Sequence, residues 1–353
     1  MSYNLDLISR ILCYGINVPD SISTKGAHAD VGFVQGTVLM YDKRRPINTA
    51  VMGKMIDGRA VPLEEHDGLL YVRSGSRLIH CEFLEQPKCL DEELDGFGKI
   101  GDYIRYHSPT TIFASPLREC AYAAIGKPCL FCTYDAANPR PLPPEMFSVA
   151  FEKVRMNRSD VSLAIGPGSP NRNDYGARYF QNLLIATRKN WVGPVSIEMV
   201  PPKVDEIDML IQEDVSSFIM SIEIWDDLAR AYVCPGKSEI SKAEYVNRWE
   251  HVVSKLGPGS VSSVLIVGLD SENNLIEAID TLTKIGVIPT LIPFRPYDTV
   301  KKNLTADLVD HKLYMNLSAY NAMKLKQNRI GPSHQSGCTR CGGCSLEIDL
   351  ALQ

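Results

Sequence analysis

The sequence predicts an α/β fold: a partial (β/α)6 TIM-type barrel with a small N-terminal α+β cap and a C-terminal cysteine-rich tail. Three observations predict it. From Thr110 onward, short apolar runs alternate with helical stretches. The runs number six and are apolar or nearly so throughout, as parallel strands covered on both faces require. After Asn328 only the tail remains, so two further strand–helix units have no room and the barrel stops short of eight.

The six runs are Thr110–Ala114, Val161–Ile165, Pro194–Val200, Ser217–Ile224, Ser262–Val267 and Ile288–Phe294. Between them lie amphipathic helices. Ser271 is placed to cap one whose inner stripe is Leu275, Ile276, Ile279, Leu282 and Ile285. Ser241-Lys242-Ala243-Glu244 has the capping-box pattern. A last helix is expected from about Ala306 to Asn328. Residues 1–109 lack this beat: a short amphipathic helix near Asn4–Tyr14 precedes short strands such as Leu69–Arg73 and Arg77–Phe83. The expected division is therefore a cap over 1–109, a barrel over 110–330 and a tail over 331–353.

Bulk properties exclude some functions. With 353 residues, 44% of them apolar, the chain can bury a large core. A formal charge of −5 argues against nucleic-acid binding through bulk electrostatics. No apolar run reaches the roughly 18 residues of a membrane span, and the N-terminus lacks the form of a signal peptide. A cytoplasmic protein is expected, with neither a nucleic-acid nor a membrane partner. The histidines are scattered, without a His-Glu-x-x-His helix, and there is no Gly-x-Ser-x-Gly elbow, which disfavours hydrolase readings.

The ten cysteines carry the functional signal. Cys120, Cys129 and Cys132 read Cys-x8-Cys-x2-Cys just beyond the first expected strand, and Cys338, Cys341 and Cys344 read Cys-x2-Cys-x2-Cys in the tail. Clustered cysteines in a long chain of this kind point to metal ligation rather than disulfides. Three thiolates on a [4Fe–4S] cluster leave one iron open. Zinc is the alternative, but a structural zinc site takes four ligands, commonly from paired knuckles. Cys13, Cys81, Cys89 and Cys234 read as plain thiols.

The first trio resembles the radical S-adenosylmethionine (radical SAM) superfamily, and the likeness extends over most of residues 110–344. Cys129 to Cys132 form its Cys-x-aromatic-Cys ending, with Phe131 in the place of the aromatic beside the adenine. The gap of eight residues after Cys120 departs from the usual three. The resemblance implies a SAM-binding role for Gly166, Pro167 and Gly168, placed like the turn that receives the methionine amino group. It implies likewise that Ser221 and Glu223 lie near the ribose and that Glu198 is an inward carboxylate. Gly268 belongs to the turn that shapes the adenosine pocket. Arg230 takes the methionine carboxylate or else is a solvated helix residue. Arg295 and Tyr297 are expected near the mouth. The ensemble is most similar to members related to biotin and lipoyl synthases.

The tail trio begins like a bacterial ferredoxin run, whose fourth cysteine would fall near position 348, here Ile348. A fourth ligand must come from elsewhere: His334, Cys89, Cys81, Ser345 or a substrate atom. A second, auxiliary [4Fe–4S] cluster is expected, with a zinc knuckle as the alternative. The resemblance implies that Cys120, Cys129 and Cys132 are catalytic, holding the cluster that reductively cleaves SAM to a 5′-deoxyadenosyl radical, which abstracts hydrogen from an unactivated carbon. Either sulfur insertion from the auxiliary cluster follows, or an oxidation or rearrangement in which that cluster conducts an electron or anchors substrate. The implied partners are a reductant such as ferredoxin or flavodoxin and a small-molecule or carrier-bound acyl substrate. A non-catalytic iron–sulfur or zinc-binding protein is the reading from another class.

Overall fold

The computed structural model describes residues 4–19, 37–49, 58–117, 119–132, 140–166, 168–296, 304–331 and 335–351. The N-terminal part opens with α1 (Leu5–Tyr14), which begins where the Asn4 side chain accepts the Leu7 N–H at 3.1 Å. A six-stranded sheet follows in the order β1-β4-β5-β6-β2-β3. Its strands are β1 (Ile16–Asn17), β2 (Thr37–Tyr41), β3 (Arg45–Thr49), β4 (Val61–His66), β5 (Leu69–Ser74) and β6 (Arg77–Phe83). Helix α1 buries Leu7, Ile8, Ile11 and Leu12 in the core shared with this sheet. A minimal hairpin of β7 (Glu93–Leu94) and β8 (Gly98–Lys99) leads into the second sheet.

That sheet has seven strands. β9 (Ile104–Ser108) lies at one edge, antiparallel to β10 (Thr111–Ala114). The sheet therefore starts at residue 104 rather than 110, because the tight turn at Pro109 and Thr110 folds β9 back along β10. Next come α2 (Ala121–Ala124) and α3 (Pro144–Arg155), then β11 (Ser162–Ile165), α4 (Ala177–Arg188), β12 (Val195–Glu198), α5 (Val204–Gln212), β13 (Ser217–Ile219), α6 (Asp227–Val233) and α7 (Lys242–Leu256). β14 (Val261–Val267), α8 (Glu272–Lys284), β15 (Ile288–Pro293) and α9 (His311–Gln327) complete the alternation. Strands β10 to β15 are parallel and adjacent in chain order. Two are shorter than the sequence suggests: β12 ends at Glu198 and β13 at Ile219, where the chain turns into the loops that build the site.

Capping decides the helix starts. Ser271 accepts the Asn274 N–H at 3.2 Å, and Ser241 and Glu244 form the reciprocal box. α9 starts later than position 306 because the Asp310 carboxylate takes the N–H groups of Lys312 and Leu313.

Side chains alternate across this sheet. Ile112, Leu163, Ile165, Val195, Ile197 and Phe218 belong to the main core. The register puts Phe113, Ala164, Ser196 and Ser217 together on the opposite face. Three of these four are small, and the tail fills the room they leave. α10 (Gly337–Cys341) packs against β10, β11, β12 and β13 together, so the sheet curls around it as a half-barrel. Ser336 and Ser217 share a hydrogen bond of 2.7 Å between hydroxyls. Gly337 has φ +77, and a Cβ there would lie 2.7 Å from Ser196 Oγ. Glycine is required on both counts.

The chain ends with α11 (Glu347–Ala351), packed against α9 beside the open edge of β15. Glu347 Oε1 accepts the Leu291 N–H at 3.1 Å, Tyr314 donates to the Leu291 carbonyl at 3.0 Å, and Asn321 donates to the Pro289 carbonyl at 2.8 Å. These side chains occupy backbone groups that an exposed edge strand would offer to another chain. Arg45, in the N-terminal sheet, donates to Asp349 and to the Ser345 carbonyl, tying that sheet to the tail.

Candidate active site

Parallel α/β sheets gather chemistry at the C-terminal ends of their strands. A cavity of about 190 Å³ opens there, lined among others by Cys120, Cys129, Phe131, Cys132, Gly168 and Ser169. Glu198, Ser221, Glu223 and Lys237 form its polar wall.

The cysteine loop follows β10 and is bound to the turn after β11. Cys120 pairs with Ser169 in a parallel bridge, the Ala121 N–H donates to the Ser169 carbonyl, and the Ser169 N–H donates to the Glu119 carbonyl. Gly168 permits the approach: a Cβ there would lie 2.1 Å from the Leu117 carbonyl oxygen. Gly166 plays the same part toward β12, since its Cβ would meet that of Glu198 at 2.5 Å. Pro167 lies outside the described residues. On the other side, the Leu130 N–H donates to the Val233 carbonyl, and the Tyr122 ring lies where any side chain at Gly236 would stand.

Glu223 is the most constrained polar residue of the wall. It is 5% exposed and adopts φ +62, a left-handed conformation that costs a residue with a side chain about 1–3 kcal/mol. The strain is held by backbone bonds from Glu223 to Val264 and from Ile266 back to Glu223. One carboxylate oxygen pairs with Lys237 Nζ; the other, Oε2, is buried with no hydrogen-bond partner. Burial raises the Glu223 pKa, and Lys237 opposes that rise. Burial works against the Lys237 charge too, but Glu223 and Cys129 outweigh it and keep the ammonium protonated well beyond its ordinary range. Glu198, facing the same cavity, is pushed up by burial to about 7.

Two residues of the site carry no pattern in the sequence. Lys237 lies in the loop after α6, at no recognisable spacing from a motif. Cys234, expected to be a plain thiol, is fully buried and donates a hydrogen bond to Cys129, which lowers the Cys129 pKa. Gly236, with no space for a side chain, is the nearest thing to a signal for this segment.

Other expected site residues lie elsewhere. Arg230 is not a solvated helix residue: it is 2% exposed, Nη2 donates to the Lys237 and Ile240 carbonyls at 2.9 Å each, and its guanidinium lies 5.0 Å from the Tyr245 ring centre. It lies behind the cavity wall rather than on it. Gly268 follows β14 at φ +98, where a Cβ would meet Val309 at 2.6 Å, and it too is off the wall. Arg295 donates to the Leu12 carbonyl at 3.0 Å, joining β15 to α1, and Tyr297 lies outside the described residues.

The tail trio occupies the bore on the inner face of the sheet. Ile219 lines the cavity and its Cδ1 would lie 3.6 Å from a Cβ on Gly337, next to Cys338. Burial raises the Cys338 thiol well above its usual range, with Glu198 the strongest charge acting on it. Cys341 donates to the His107 carbonyl at 3.5 Å, and burial pushes it up to about 12. Of the fourth-ligand candidates, Cys81 lies in β6 with its thiol on the Ile79 carbonyl, Cys89 lies in the short helix Lys88–Asp91, and His334 is outside the described residues.

Among the described residues, no three His, Cys, Asp or Glu side chains converge closely enough to hold a metal ion. The thiols instead satisfy one another or a backbone carbonyl, as at Cys129–Cys234 and Cys341–His107. The donor set nevertheless fits an iron–sulfur cluster. Three soft thiols from one loop face one cavity, with carboxylates and an ammonium on the far wall.

No family model and no curated protein matches this chain. Solved structures give distant likenesses. HydG, a maturase of the [FeFe]-hydrogenase, is 16% identical over 66% of this chain and 53% of its own, with a TM-score of 0.47. The chain thus spans about half the length of that protein. A radical SAM methyltransferase from Sphaerobacter thermophilus is 16% identical over 64% of this chain and 66% of its own, at 0.49. Coproporphyrinogen III oxidase (HemN) from Escherichia coli, a radical SAM enzyme, is 17% identical over 63% of this chain and 54% of its own, at 0.43. Likenesses this remote carry no argument about chemistry. No helix among the described residues is long and apolar enough to cross a membrane.

Proposed function

We propose that the chain is a radical SAM enzyme whose substrate binds in the cavity at the C-terminal ends of β10 to β13. One observation carries this reading: the Cys-x8-Cys-x2-Cys trio lines a single cavity with Glu198, Ser221, Glu223 and Lys237. Cys120, Cys129 and Cys132 would hold a [4Fe–4S] cluster. Such a cluster, with SAM beside it, would supply one-electron reductive chemistry able to take hydrogen from an unactivated carbon.

The protein's own groups bind, orient and exclude water. Lys237 supplies a fixed positive charge on the wall, suited to a ligand carboxylate. Glu223 Oε2, with no protein partner, is an acceptor for a ligand hydroxyl or ammonium. Gly168 and Ser169 line the cavity beside the cysteine loop, where backbone groups face a ligand. Phe131 offers an apolar face for a nucleobase. The reductant is an external carrier such as ferredoxin or flavodoxin. The substrate is a small molecule or a carrier-bound acyl group.

For the tail trio we favour a second [4Fe–4S] centre that donates sulfur to the substrate. Supporting this is its place in the same bore, with Ile219 between Gly337 and the cavity and Glu198 acting on Cys338. The same observation supports a second reading, in which the centre anchors substrate for an oxidation or rearrangement.

The test is anaerobic reconstitution, followed by SAM and dithionite. Release of 5′-deoxyadenosine by the parent, and none by the Cys120→Ala/Cys129→Ala/Cys132→Ala variant, is expected. A parent that never releases it sinks the proposal. Isotopic sulfur loaded into the tail centre and recovered in product distinguishes insertion from anchoring.

A further inference from the structure

Two thiols meet behind the cavity wall. Cys129 is half-buried and lines the cavity, whereas Cys234, at the end of α6, is 0% exposed. The Cys234 thiol donates a hydrogen bond to the Cys129 sulfur. The backbone holds the two segments together at this point. The Leu130 N–H donates to the Val233 carbonyl at 2.8 Å, which sets the residue before Leu130 beside the residue after Val233.

Both ends of the contact are fixed. The Cys234 N–H donates to the Arg230 carbonyl at 2.8 Å, and the Cys129 carbonyl accepts the Cys132 N–H at 3.0 Å. Just beyond Cys234, Gly236 lies against Tyr122, where a Cβ would stand 2.4 Å from the ring. Another buried thiol of this chain, Cys81, is satisfied by the Ile79 carbonyl. Cys234 differs in directing its thiol at a second sulfur, and that sulfur faces the cavity.

We infer that Cys129 and Cys234 form a reversible disulfide in the chain before a cluster is loaded, with a peroxide as the oxidant. Only one sulfur of the pair faces the cavity, and this orders the steps. The Cys129 sulfur attacks the peroxide: an S–O bond forms, the O–O bond breaks, and the departing oxygen takes the thiol proton and leaves as water. The Cys234 sulfur then attacks the Cys129 sulfur. The S–S bond forms, the S–O bond breaks, and the hydroxyl leaves with the Cys234 proton as a second water. Two thiols lose two electrons in all, and one peroxide is reduced to two waters. A dithiol reverses the bond by exchange. Without Cys234, the Cys129 sulfenic acid stays open to a second peroxide and to the irreversible sulfinic acid. The consequence for function rests on the reading of Cys129 as a cluster ligand: a sulfur bonded to Cys234 cannot bind iron, so the disulfide blocks loading and preserves the ligand until it is reduced.

The test uses the full parent chain, freed of metal with a chelator, reduced, and exposed to one equivalent of hydrogen peroxide. Free thiols are then alkylated and the digest is mapped by mass spectrometry. A Cys129–Cys234 cross-link that disappears with dithiothreitol is expected. In Cys234→Ser, dimedone should label Cys129, and excess peroxide should carry it to the sulfinic acid. Cross-linking of Cys129 to Cys120 or Cys132 in the parent, or a Cys129 that stays a free thiol, overturns the inference. Both are read in the parent and do not depend on how the variant folds. Chain loaded anaerobically with iron and sulfide beforehand should cross-link several-fold more slowly over the same short exposure. Equal cross-linking with and without iron sinks Cys129 as a cluster ligand while leaving the disulfide standing.

Discussion

The hydroxyls of Ser217 and Ser336 lie 2.7 Å apart, buried between β13 and the start of the cysteine tail. Through this contact and the Gly337 approach to Ser196, the last residues of the chain become the filling of the half-barrel.

Gly337→Val should therefore dislodge the tail. The left-handed backbone alone costs about 1–2 kcal/mol for a residue with a Cβ, and contact with Ser196 adds to it. Limited proteolysis is expected to release residues beyond about 330 far faster than in the parent. Reconstituted iron should fall by about four atoms per chain, with SAM-dependent electron paramagnetic resonance signals retained. Iron held at the parent level would falsify the packing role given to this glycine.

Lys237 and Glu223 test the polar wall. Removing one member of a buried pair leaves an uncompensated charge, and Lys237→Met should lower stability by about 3–5 kcal/mol. The double variant Lys237→Met/Glu223→Leu should recover most of that loss in denaturant unfolding, while SAM binding stays impaired in both. Additive losses in the double variant would show that the two residues act independently.

Glu198 gives the metal-free chain a pH dependence. Its pKa rises from the ordinary carboxylate range in the unfolded chain to about 7 in the folded one. The folded state therefore binds the extra proton between those values, and stability falls as pH rises from about 4.5 to about 7. Above that window both states are ionised and the dependence levels off. Glu198→Gln should flatten this slope in chemical denaturation; an unchanged slope would assign it to other carboxylates, with Glu347 the first to examine.

Arg230 separates structure from cofactor binding. Arg230→Lys is shorter and loses the planar guanidinium that lies over Tyr245 while its Nη2 serves the Lys237 and Ile240 carbonyls, and a loss of about 1–3 kcal/mol is expected. The KM for SAM should stay within a few-fold of the parent. A KM raised tenfold or more at parental stability would return Arg230 to the cofactor.

Much of this was legible along the chain. Six apolar runs became six adjacent parallel strands, because covering both faces of a parallel strand demands continuous hydrophobicity, which sequence records directly. Ser241, Ser271 and Asn4 cap as their local patterns require, since a cap depends only on residues within one turn. The cysteine trios were visible as spacing, and Gly166 and Gly168 as a turn after the second run.

Tertiary packing decided the rest. Lys237 reaches the cavity, and Cys234 reaches Cys129 behind it, only because the end of α6 and the residues after it fold onto Leu130 and Tyr122, contacts more than 100 residues apart in the chain. Arg230 was ambiguous because the same exposed-looking helical position becomes interior once α7 covers it with Tyr245. The tail gave no sign that it would enter the bore: that depends on small side chains from β11, β12 and β13 standing in one row, a register no single strand carries. Local chemistry is written in neighbouring residues, whereas the meeting of Glu347 with β15 depends on where two distant segments come to rest.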